Sequence, residues 1–308
     1  KENMMAKELL VKDNTLINAS YTLSLTEQRI LLLSIAKAQK NGEEITHNDY
    51  ISIHANEFIE AYDVNEKSVY SSLKDACTTL FRREFSYRSG KTLVQSHWLQ
   101  SSKYNEDSGS IEILFAKELI PFISQLKKRF TSYYLQDVSR MTSVYAIRLY
   151  ELIIAWRSTH KTPIFEVNDL RLKLGVEPDE YPRMFDLKKR VIDIAVGQIN
   201  ELSNIAIKME QHKKGRKITG FSFSFIEIKK KDSDAPERDP NTRDWVDEEC
   251  GSPVADVQAI LKKMTNSKPE KKQRKVITKQ QAELLARAGE SWDDLLNRIK
   301  SDYFVKFD

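Results

Sequence analysis

The sequence predicts an α+β protein in which one structural unit occurs twice in tandem and is followed by a tail of different composition. Three observations support this prediction. The order of predicted helices and strands in residues 1–130 recurs in residues 131–230, the second copy contains an amphipathic helix with a basic first half, and a basic β-hairpin follows that helix. We therefore divide the chain into two domains, residues 1–130 and 131–230, and a C-terminal segment, residues 231–308.

The composition of the chain favours two folded domains. A length of 308 residues corresponds to about two domains, and a hydrophobic content of 40% is enough to form their cores. The sequence has no run of about 18 apolar residues and no apolar signal segment at its start, so we expect neither a membrane span nor export. The two cysteines, Cys77 and Cys250, are far apart, which favours the reducing cytoplasm over a disulfide framework.

The elements of the first unit follow from apolar spacing and turn residues. Residues 1–20 are polar with scattered aliphatic side chains, and we expect them to form an arm. The other predicted elements are a helix over residues 25–40 closed by Asn41-Gly42, a strand around Ile51 and Ile53, a helix capped by Asn56, a helix carrying Val69 to Phe81, antiparallel strands over residues 84–88, 93–101 and 110–115, and a helix over residues 117–129. The aromatic residues expected in the cores are Phe81, Trp98 and Trp156.

The second unit repeats this order. Its predicted elements are a helix over residues 144–157, a strand over residues 164–167, a helix capped by Asn168, a turn over residues 175–178, a helix over residues 184–202, and strands over residues 205–210 and 218–228. Weak identity supports an internal duplication, because Arg29–Leu33 resembles Arg148–Leu152 and Ala55–Phe58 resembles Val167–Leu170. The order is that of a winged helix, whose third helix enters the major groove while the hairpin, or wing, contacts the DNA backbone.

The composition changes from Lys229 onwards. Residues 231–240 have little apolar content and residues 268–275 are basic with a proline, as is typical of linkers. Residues 254–264 and 278–304 have helical spacing, and Thr278 and Gln281 have the spacing of a capping box. We expect a small helical or partly disordered tail that serves as an appended module or a docking segment.

The third helix of the second unit has a basic first half. Arg183, Lys188, Lys189 and Arg190 accompany a single acid, Asp186, in its first two turns. The N-terminus of a helix already carries partial positive charge, so this arrangement costs stability unless an anion such as a phosphate lies opposite. A solvated basic face on an ordinary core helix is the alternative interpretation.

The hairpin after this helix is also basic. Its tip, residues 208–217, carries five basic side chains and one acid, Glu210. A winged helix brings its third helix and its wing to one face of DNA, so the two clusters predict a surface that binds double-stranded DNA. The equivalent helix of the first unit carries Lys67, Ser71 and Lys74, and DNA contact and ordinary exposure are equally open interpretations there.

The sequence lacks the motifs of enzymes that hydrolyse nucleotides or cut DNA. Residues 215–220 resemble the start of a phosphate-binding loop, but Phe221-Ser222 follows where a lysine and then a serine or threonine are required, so the lysine is missing. Tyr133 and Tyr134 resemble the tyrosine nucleophiles of enzymes that nick DNA. Those enzymes also need a metal site, and the five histidines of this sequence do not have the spacing of such a site. The cysteines and histidines show no zinc-ligand pattern. We therefore expect no catalytic residue, no metal and no cofactor.

Several short motifs resemble one known family, the iteron-binding plasmid replication initiators. The motifs occur in the family's order, and they are Leu16–Tyr21, Leu25–Arg29, Leu119–Phe122, Arg129–Thr131, Tyr145–Glu151, Lys213–Arg216 and Phe223–Phe225. The resemblance covers roughly residues 8–230 and leaves the tail uncovered. It implies two winged-helix domains that bind short direct repeats at a plasmid origin, with most of the specific base contacts in the second domain.

The resemblance also implies which residues bind DNA. They are Arg183, Lys188, Lys189 and Arg190 in the second recognition helix, Lys213, Lys214, Arg216 and Lys217 in its wing, and Lys67, Ser71 and Lys74 in the first domain. Relatives often have an arginine run where this chain has Leu187–Arg190. Lysine is a poorer bidentate reader of guanine than arginine, so the division between base and phosphate contacts stays open.

The same resemblance implies a monomer–dimer equilibrium. Monomers would bind the repeats and open the origin, whereas dimers formed through the first domain would repress the protein's own gene. The host's initiator ATPase and replicative helicase would supply the opening and unwinding machinery, so the protein itself would need no hydrolytic site. A plain winged-helix transcriptional repressor without a role in replication is the alternative.

Overall fold

The computed structural model describes residues 8–40, 45–124, 126, 129–228, 275–278 and 303–306. The chain forms two compact units, residues 1–244 and residues 245–308. The larger unit contains both predicted domains and the first part of the predicted tail, and the smaller one contains the rest of the tail. Within the described ranges, no helix combines the length and the apolar character needed to cross a membrane.

The first domain has the predicted order of a winged helix with one inserted hairpin. Its elements are β1 (Leu9–Asp13), α1 (Asn14–Ile17), α2 (Leu25–Gln39), β2 (Tyr50–His54), α3 (Ala55–Tyr62), α4 (Glu66–Leu80), β3 (Glu84–Ser89), β4 (Thr92–His97), β5 (Leu99–Asn105) and β6 (Ser110–Phe115). β2, β6 and β5 form an antiparallel sheet in that order, so the β5–β6 hairpin is the first wing. β3 and β4 pair separately and are inserted between α4 and this wing.

The second domain repeats the plan without the insertion. Its elements are β7 (Phe130–Tyr134), α5 (Val144–Ile154), β8 (Phe165–Glu166), α6 (Val167–Leu174), α7 (Met184–Leu187), α8 (Asp193–Leu202), β9 (Ile205–Lys214) and β10 (Lys217–Glu227). The sheet order β8-β10-β9 matches β2-β6-β5 of the first domain. A π-helical turn, Lys188–Ile192, joins α7 to α8, and we call the continuous helix over residues 184–202 the recognition helix. The prediction of two winged-helix domains is confirmed.

The two domains are joined by reciprocal contacts. β1 pairs with β7 in an antiparallel ladder that precedes the first long helix of each domain. Arg29 of α2 donates hydrogen bonds to the carbonyls of Ser139 and Met141, just before α5. Arg148 of α5 donates to carbonyls at the corresponding place before α2, those of Ile17 and Ala19. The weak identity around the two arginines therefore corresponds to equivalent structural roles.

A buried ionic cluster lies at this junction and is centred on Glu151. Lys12 Nζ lies 2.7 Å from Glu151 Oε1, Arg148 Nη1 lies 2.9 Å from Glu151 Oε2, and the Tyr133 hydroxyl donates to Oε1 at 2.5 Å. Burial alone would raise the pKa of Glu151, but the two cations and the hydrogen bonds hold that pKa below its usual range. The carboxylate is therefore ionised and links β1, β7 and α5.

The apolar interior of the two domains is continuous. Trp98 is fully buried in it, with ring centroids 4.8 Å from Tyr21 and 4.7 Å from Phe85. The predicted burial of Trp98 is thus confirmed, whereas the predictions for Phe81 and Trp156 are wrong. Their side chains are 43% and 39% exposed, because each follows the last turn of a helix and points away from the core.

The predicted N-terminal arm is also wrong from Leu9 onwards. Leu9–Asp13 forms β1 because β7 supplies its ladder partner, and α1 follows it directly. Leu10, Leu16 and Ile17 are fully buried. Because polar residues lie between these apolar residues, the sequence did not indicate that residues 9–17 form part of the junction between the domains.

Helix and strand boundaries differ from the prediction at several places. The helices expected to be capped by Asn56 and Asn168 begin at Ala55 and Val167, with His54 and Glu166 at the cap positions. In the first case the Glu57 carboxylate accepts a hydrogen bond from the His54 N–H, which extends the helix by one residue.

The strands before and after the first wing also depart from expectation. The strand predicted over residues 93–101 is two strands, β4 and β5, which separate at the buried Trp98. In place of the helix predicted over residues 117–129, the described residues contain one short 3₁₀ turn, Ile120–Phe122, with Pro121 inside it. The predicted helix end at Asn41-Gly42 lies outside the described residues.

The smaller unit contains two short parallel strands, β11 (Lys275–Thr278) and β12 (Tyr303–Lys306). The helical spacing over residues 278–304 is therefore misleading at both ends, because Thr278 ends β11 and the aromatic and β-branched residues Tyr303–Val305 favour a strand. Four other predicted features of the tail lie outside the described residues: the helical segment 254–264, the linker 231–240, residues 268–274 of the basic linker, and Gln281 of the capping box.

Candidate nucleic-acid interface

Two residues fix the turn before the recognition helix: Arg171 within α6, and Gly175 immediately after it. Gly175 ends α6 with φ 74°, and a β-carbon there would collide with the backbone of the first domain. The Arg171 guanidinium donates hydrogen bonds to the carbonyls of Glu177, Glu180 and Tyr181. Sequence analysis missed Arg171, because a base in the last turn of a helix is common and its partners follow it in an irregular turn.

The recognition helix packs one face against the core. The fully or nearly fully buried residues of this face are Leu187, Val191, Ile192, Ala195 and Ile199. Apolar spacing in the sequence predicts a buried stripe formed by Met184, Leu187, Val191, Ile194, Ala195, Ile199 and Leu202. In the structure Ile194 is instead 45% exposed, and Ile192, which is not in that stripe, is fully buried. The π-helical turn has a wider spacing than an α-helical turn and therefore rotates the residues after it.

Two of the four predicted bases of this helix are held by acids of the same helix. Lys188 Nζ lies 2.8 Å from Asp193 Oδ2, and Arg190 Nε lies 3.6 Å from Asp186 Oδ1. Exposed pairs of this kind contribute at most about 1 kcal/mol, so a phosphate can replace the acid without large cost. The pairs reduce the net charge that these two residues present to DNA.

The other two predicted bases, Arg183 and Lys189, form no ion pair among the described residues. Both are exposed, and Arg183 occupies the cap position of the helix. The Lys189 ammonium lies 5.7 Å from the ring centroid of Phe185, one turn earlier. These two cations and the aromatic ring form the outer surface of the first turns of the helix.

The wing presents a second group of exposed cations. β9 and β10 pair up to Lys214 and Lys217, so β9 is longer than predicted and the turn contains only Gly215 and Arg216. Gly215 has φ 64°, as such a tight turn requires. The four bases predicted for the wing are all exposed, and they are Lys213, Lys214, Arg216 and Lys217.

The wing and the start of the recognition helix border one groove. It has a volume of about 880 Å³. Pro182 and Met184 lie on the side of the recognition helix, Arg216 and Lys217 lie on the side of the wing, and Arg171 lies between them. Of the two predicted basic clusters, only the wing lines this groove, through Arg216 and Lys217, while the recognition helix borders it with Met184 and Leu187.

The corresponding surface of the first domain is less basic. Lys74 Nζ in α4 lies 2.5 Å from a carboxylate oxygen of Glu106 in the first wing. This hydrogen bond and the attraction between the charges raise the pKa of Lys74 and lower that of Glu106. Ser71 is exposed on the same helix, while the side chain of Lys67 lies outside the described residues.

Of the two tyrosines considered for DNA nicking, Tyr134 is 42% exposed, whereas Tyr133 is unsuited to act as a nucleophile. Tyr133 is 1% exposed, and its hydroxyl donates to Glu151. Burial and the neighbouring carboxylate raise its pKa well above the usual value, so its hydroxyl stays protonated. Among the residues that the structure describes, no three His, Cys, Asp or Glu side chains lie close enough together to hold a metal ion.

Two winged-helix domains in tandem, with a basic recognition helix and a basic wing in the second, define a DNA-binding protein. Two family models match the chain: the first winged-helix domain of the initiator replication proteins over residues 9–154, and the second over residues 166–225. These matches cover more than half of the sequence. The chain belongs to the family of initiator replication proteins.

Individual relatives agree with this assignment. A replication initiation protein of Escherichia coli is 24% identical over 219 residues, which are 69% of this chain and 67% of that protein. The PI protein of Escherichia coli is 30% identical over 139 residues, 40% of this chain and 46% of that protein. A crystal structure of a Pi initiator protein in complex with iteron DNA has a TM-score of 0.62 and 22% identity, and the match covers 73% of this chain and 99% of that one. The last comparison establishes a common fold.

Proposed function

We propose that this protein binds direct repeats, or iterons, in double-stranded DNA at a plasmid origin and thereby initiates plasmid replication. The observation that carries this proposal is the basic groove between the recognition helix and the wing, in a chain of the initiator replication family. The related Pi initiator, crystallised with iteron DNA, supports the choice of ligand.

The second domain, residues 131–230, supplies the main DNA contacts in this proposal. Arg183 and Lys189, which form no ion pair within the described ranges, reach bases or phosphates from the start of the recognition helix, and Lys188 and Arg190 exchange their acids for phosphates. The wing bases bind the flanking backbone. The first domain, residues 1–130, adds auxiliary contacts through α4, which are weaker because Glu106 neutralises Lys74.

Regulation and partners belong to the same proposal. The protein acts in the cytoplasm as a monomer at the repeats, and as a dimer formed through the first domain it represses its own gene. It performs no hydrolysis, and the host's initiator ATPase and replicative helicase supply that chemistry. A plain transcriptional repressor would need neither direct repeats nor membership of a replication family, so the initiator function is the better supported of the two.

The proposal is tested by supplying the protein in trans to a plasmid that carries the origin but lacks the gene. We expect the variant Arg183→Ala/Arg190→Ala to abolish replication, because both residues lie on the exposed face of the recognition helix. The control variant Arg88→Ala/Lys91→Ala removes the same charge from the exposed β3–β4 hairpin, outside α4 and the first wing, and should replicate the plasmid. Both variants must show the thermal unfolding of the wild type. Normal copy number with the first variant would refute the assignment of the DNA-binding surface.

A further inference from the structure

An aromatic side chain lies on the outer face of the recognition helix. Phe185 is 69% exposed, more than any other large apolar side chain in the described part of the chain. It belongs to the first turn of the helix, between the exposed Arg183 and Lys189. The core begins two residues later, at the buried Leu187, so Phe185 contributes little to the packing of the domain.

The position of Phe185 determines which part of DNA it can meet. Residues in the N-terminal turns of a recognition helix face the base edges, whereas phosphates are bound by cations and by hydrogen-bond donors. A phenyl ring has no donor for a phosphate. The apolar group that the four standard bases present in the major groove is the C5-methyl of thymine.

We propose that Phe185 is a specificity-determining residue that packs against the C5-methyl group of one thymine in each repeat. The inference rests on the proposed function, because it assumes that the recognition helix enters the major groove. Lys189 supports this contact: its ammonium lies 5.7 Å from the ring centroid and limits the ring's freedom while remaining able to reach a phosphate or a guanine.

The proposed role of Phe185 differs from the role of the basic residues on the same helix. The basic residues attract any DNA sequence, and lysine discriminates among bases less sharply than arginine does. Asp186, next to Phe185, is occupied by Arg190 at 3.6 Å. A contact with a thymine methyl would therefore give this helix a base preference that its charges alone do not provide.

The test removes the methyl group from the DNA and the ring from the protein. A bound repeat is first selected from random duplexes with the full-length wild-type protein. Each thymine is then replaced in turn by deoxyuridine, which differs from thymidine only in this methyl group. We expect one replacement in the repeat to weaken wild-type binding about fourfold, the effect of one buried methyl group.

The variant Phe185→Ala should bind the thymine and deoxyuridine repeats equally at that position, because the contact has already been lost. The control Leu93→Ala removes a side chain that is 55% exposed on the β3–β4 hairpin, and it should keep the fourfold difference. The inference is overturned if no deoxyuridine weakens wild-type binding, or if Phe185→Ala keeps the full difference. Failure of the wild type to select any repeat would instead contradict the proposed function, so the two failures are distinct.

Discussion

Glu151 binds side chains from both domains. Its carboxylate is fully buried and binds Lys12 of β1, Arg148 of its own helix and the hydroxyl of Tyr133 in β7. Burial of two cations is costly without such a partner, and breaking a buried pair leaves an uncompensated charge. The junction between the domains therefore depends on this one acid.

We expect the variant Glu151→Gln to lower the free energy of unfolding by about 3–5 kcal/mol, because Lys12 and Arg148 would stay buried without a counter-charge. Urea unfolding followed by circular dichroism measures the change. The control Glu210→Gln breaks an exposed pair with Lys161 and should cost less than about 1 kcal/mol. Equal stability of the two variants would contradict the role assigned to the cluster.

The same acid predicts a pH dependence. Its pKa is lower in the folded protein than its ordinary value of 4.5, so its contribution to stability is complete above that pH. The contribution is lost as the pH falls through the lower, folded-state pKa. We expect the difference in unfolding free energy between wild type and Glu151→Gln to shrink below about pH 4.5. A difference that stays constant down to pH 3 would contradict a lowered pKa of Glu151 in the folded protein.

Arg216 at the tip of the wing is expected to bind a phosphate. If the protein contacts about 8 phosphates, the logarithm of its affinity should fall with the logarithm of salt concentration with a slope of roughly −7. The variant Arg216→Ala should reduce the magnitude of this slope by about 1 and weaken binding to all sequences alike. The control is Lys91→Ala, which removes an exposed lysine from the β3–β4 hairpin, outside both wings and both basic clusters. An unchanged slope for Arg216→Ala would remove the wing from the interface.

At the scale of elements, the turn after α6 positions the recognition helix. Gly175 adopts a left-handed conformation and lies against the backbone of the first domain, so it has two reasons to be glycine. The hydrogen bonds of Arg171 then hold the rest of the turn. The orientation of the DNA-binding helix is thus coupled to the contact between the domains.

We expect the variant Gly175→Ala to lower the free energy of unfolding by about 1–3 kcal/mol, from backbone strain and the collision together. Gly90→Ala is the matched control, because Gly90 has φ 60° but no atom within 4 Å of an added β-carbon. The variant Gly90→Ala should lower the free energy of unfolding only by the cost of the left-handed backbone conformation. Thermal unfolding of both variants compares the two costs, and a smaller loss for Gly175→Ala than for Gly90→Ala would contradict the close contact.

The comparison with the sequence shows which elements periodicity can predict. The helices of each unit and the two wings were predicted because one apolar face or an alternating pattern marks each of them. The first strand was missed because β1 is stabilised by its distant partner β7, and the exposed Ile194 was misplaced because a π-helical turn changes the helical spacing. Both features depend on tertiary structure rather than on local pattern.

The candidate DNA-binding site was likewise predicted only in part, because some of its features depend on tertiary structure. The sequence located the basic helix and the basic hairpin, and the structure places parts of both beside one groove. Sequence analysis could not predict that Glu106 would pair with Lys74, since these residues come from different elements of the first domain. It also passed over Phe185, because an aromatic residue near an apolar stripe is usually part of the core.

At the scale of the whole molecule, the two winged helices share a plan but differ in charge. The tip of the first wing carries Glu106 and Asp107, whereas the tip of the second carries Lys213, Lys214 and Arg216. Duplication therefore yielded one strongly basic surface and one that is partly neutralised. This asymmetry agrees with the proposal that the second domain supplies the main DNA contacts and the first domain auxiliary ones.

Recognition of direct repeats by this protein can be measured with a footprint of the purified protein on the DNA that flanks its own gene. We expect several protected direct repeats about 20 base pairs apart, so that each presents the same face after two helical turns of about 10.5 base pairs. A single protected inverted repeat would contradict the initiator function and favour a repressor. Absence of protection at moderate salt with monomeric protein would contradict the DNA-binding surface itself.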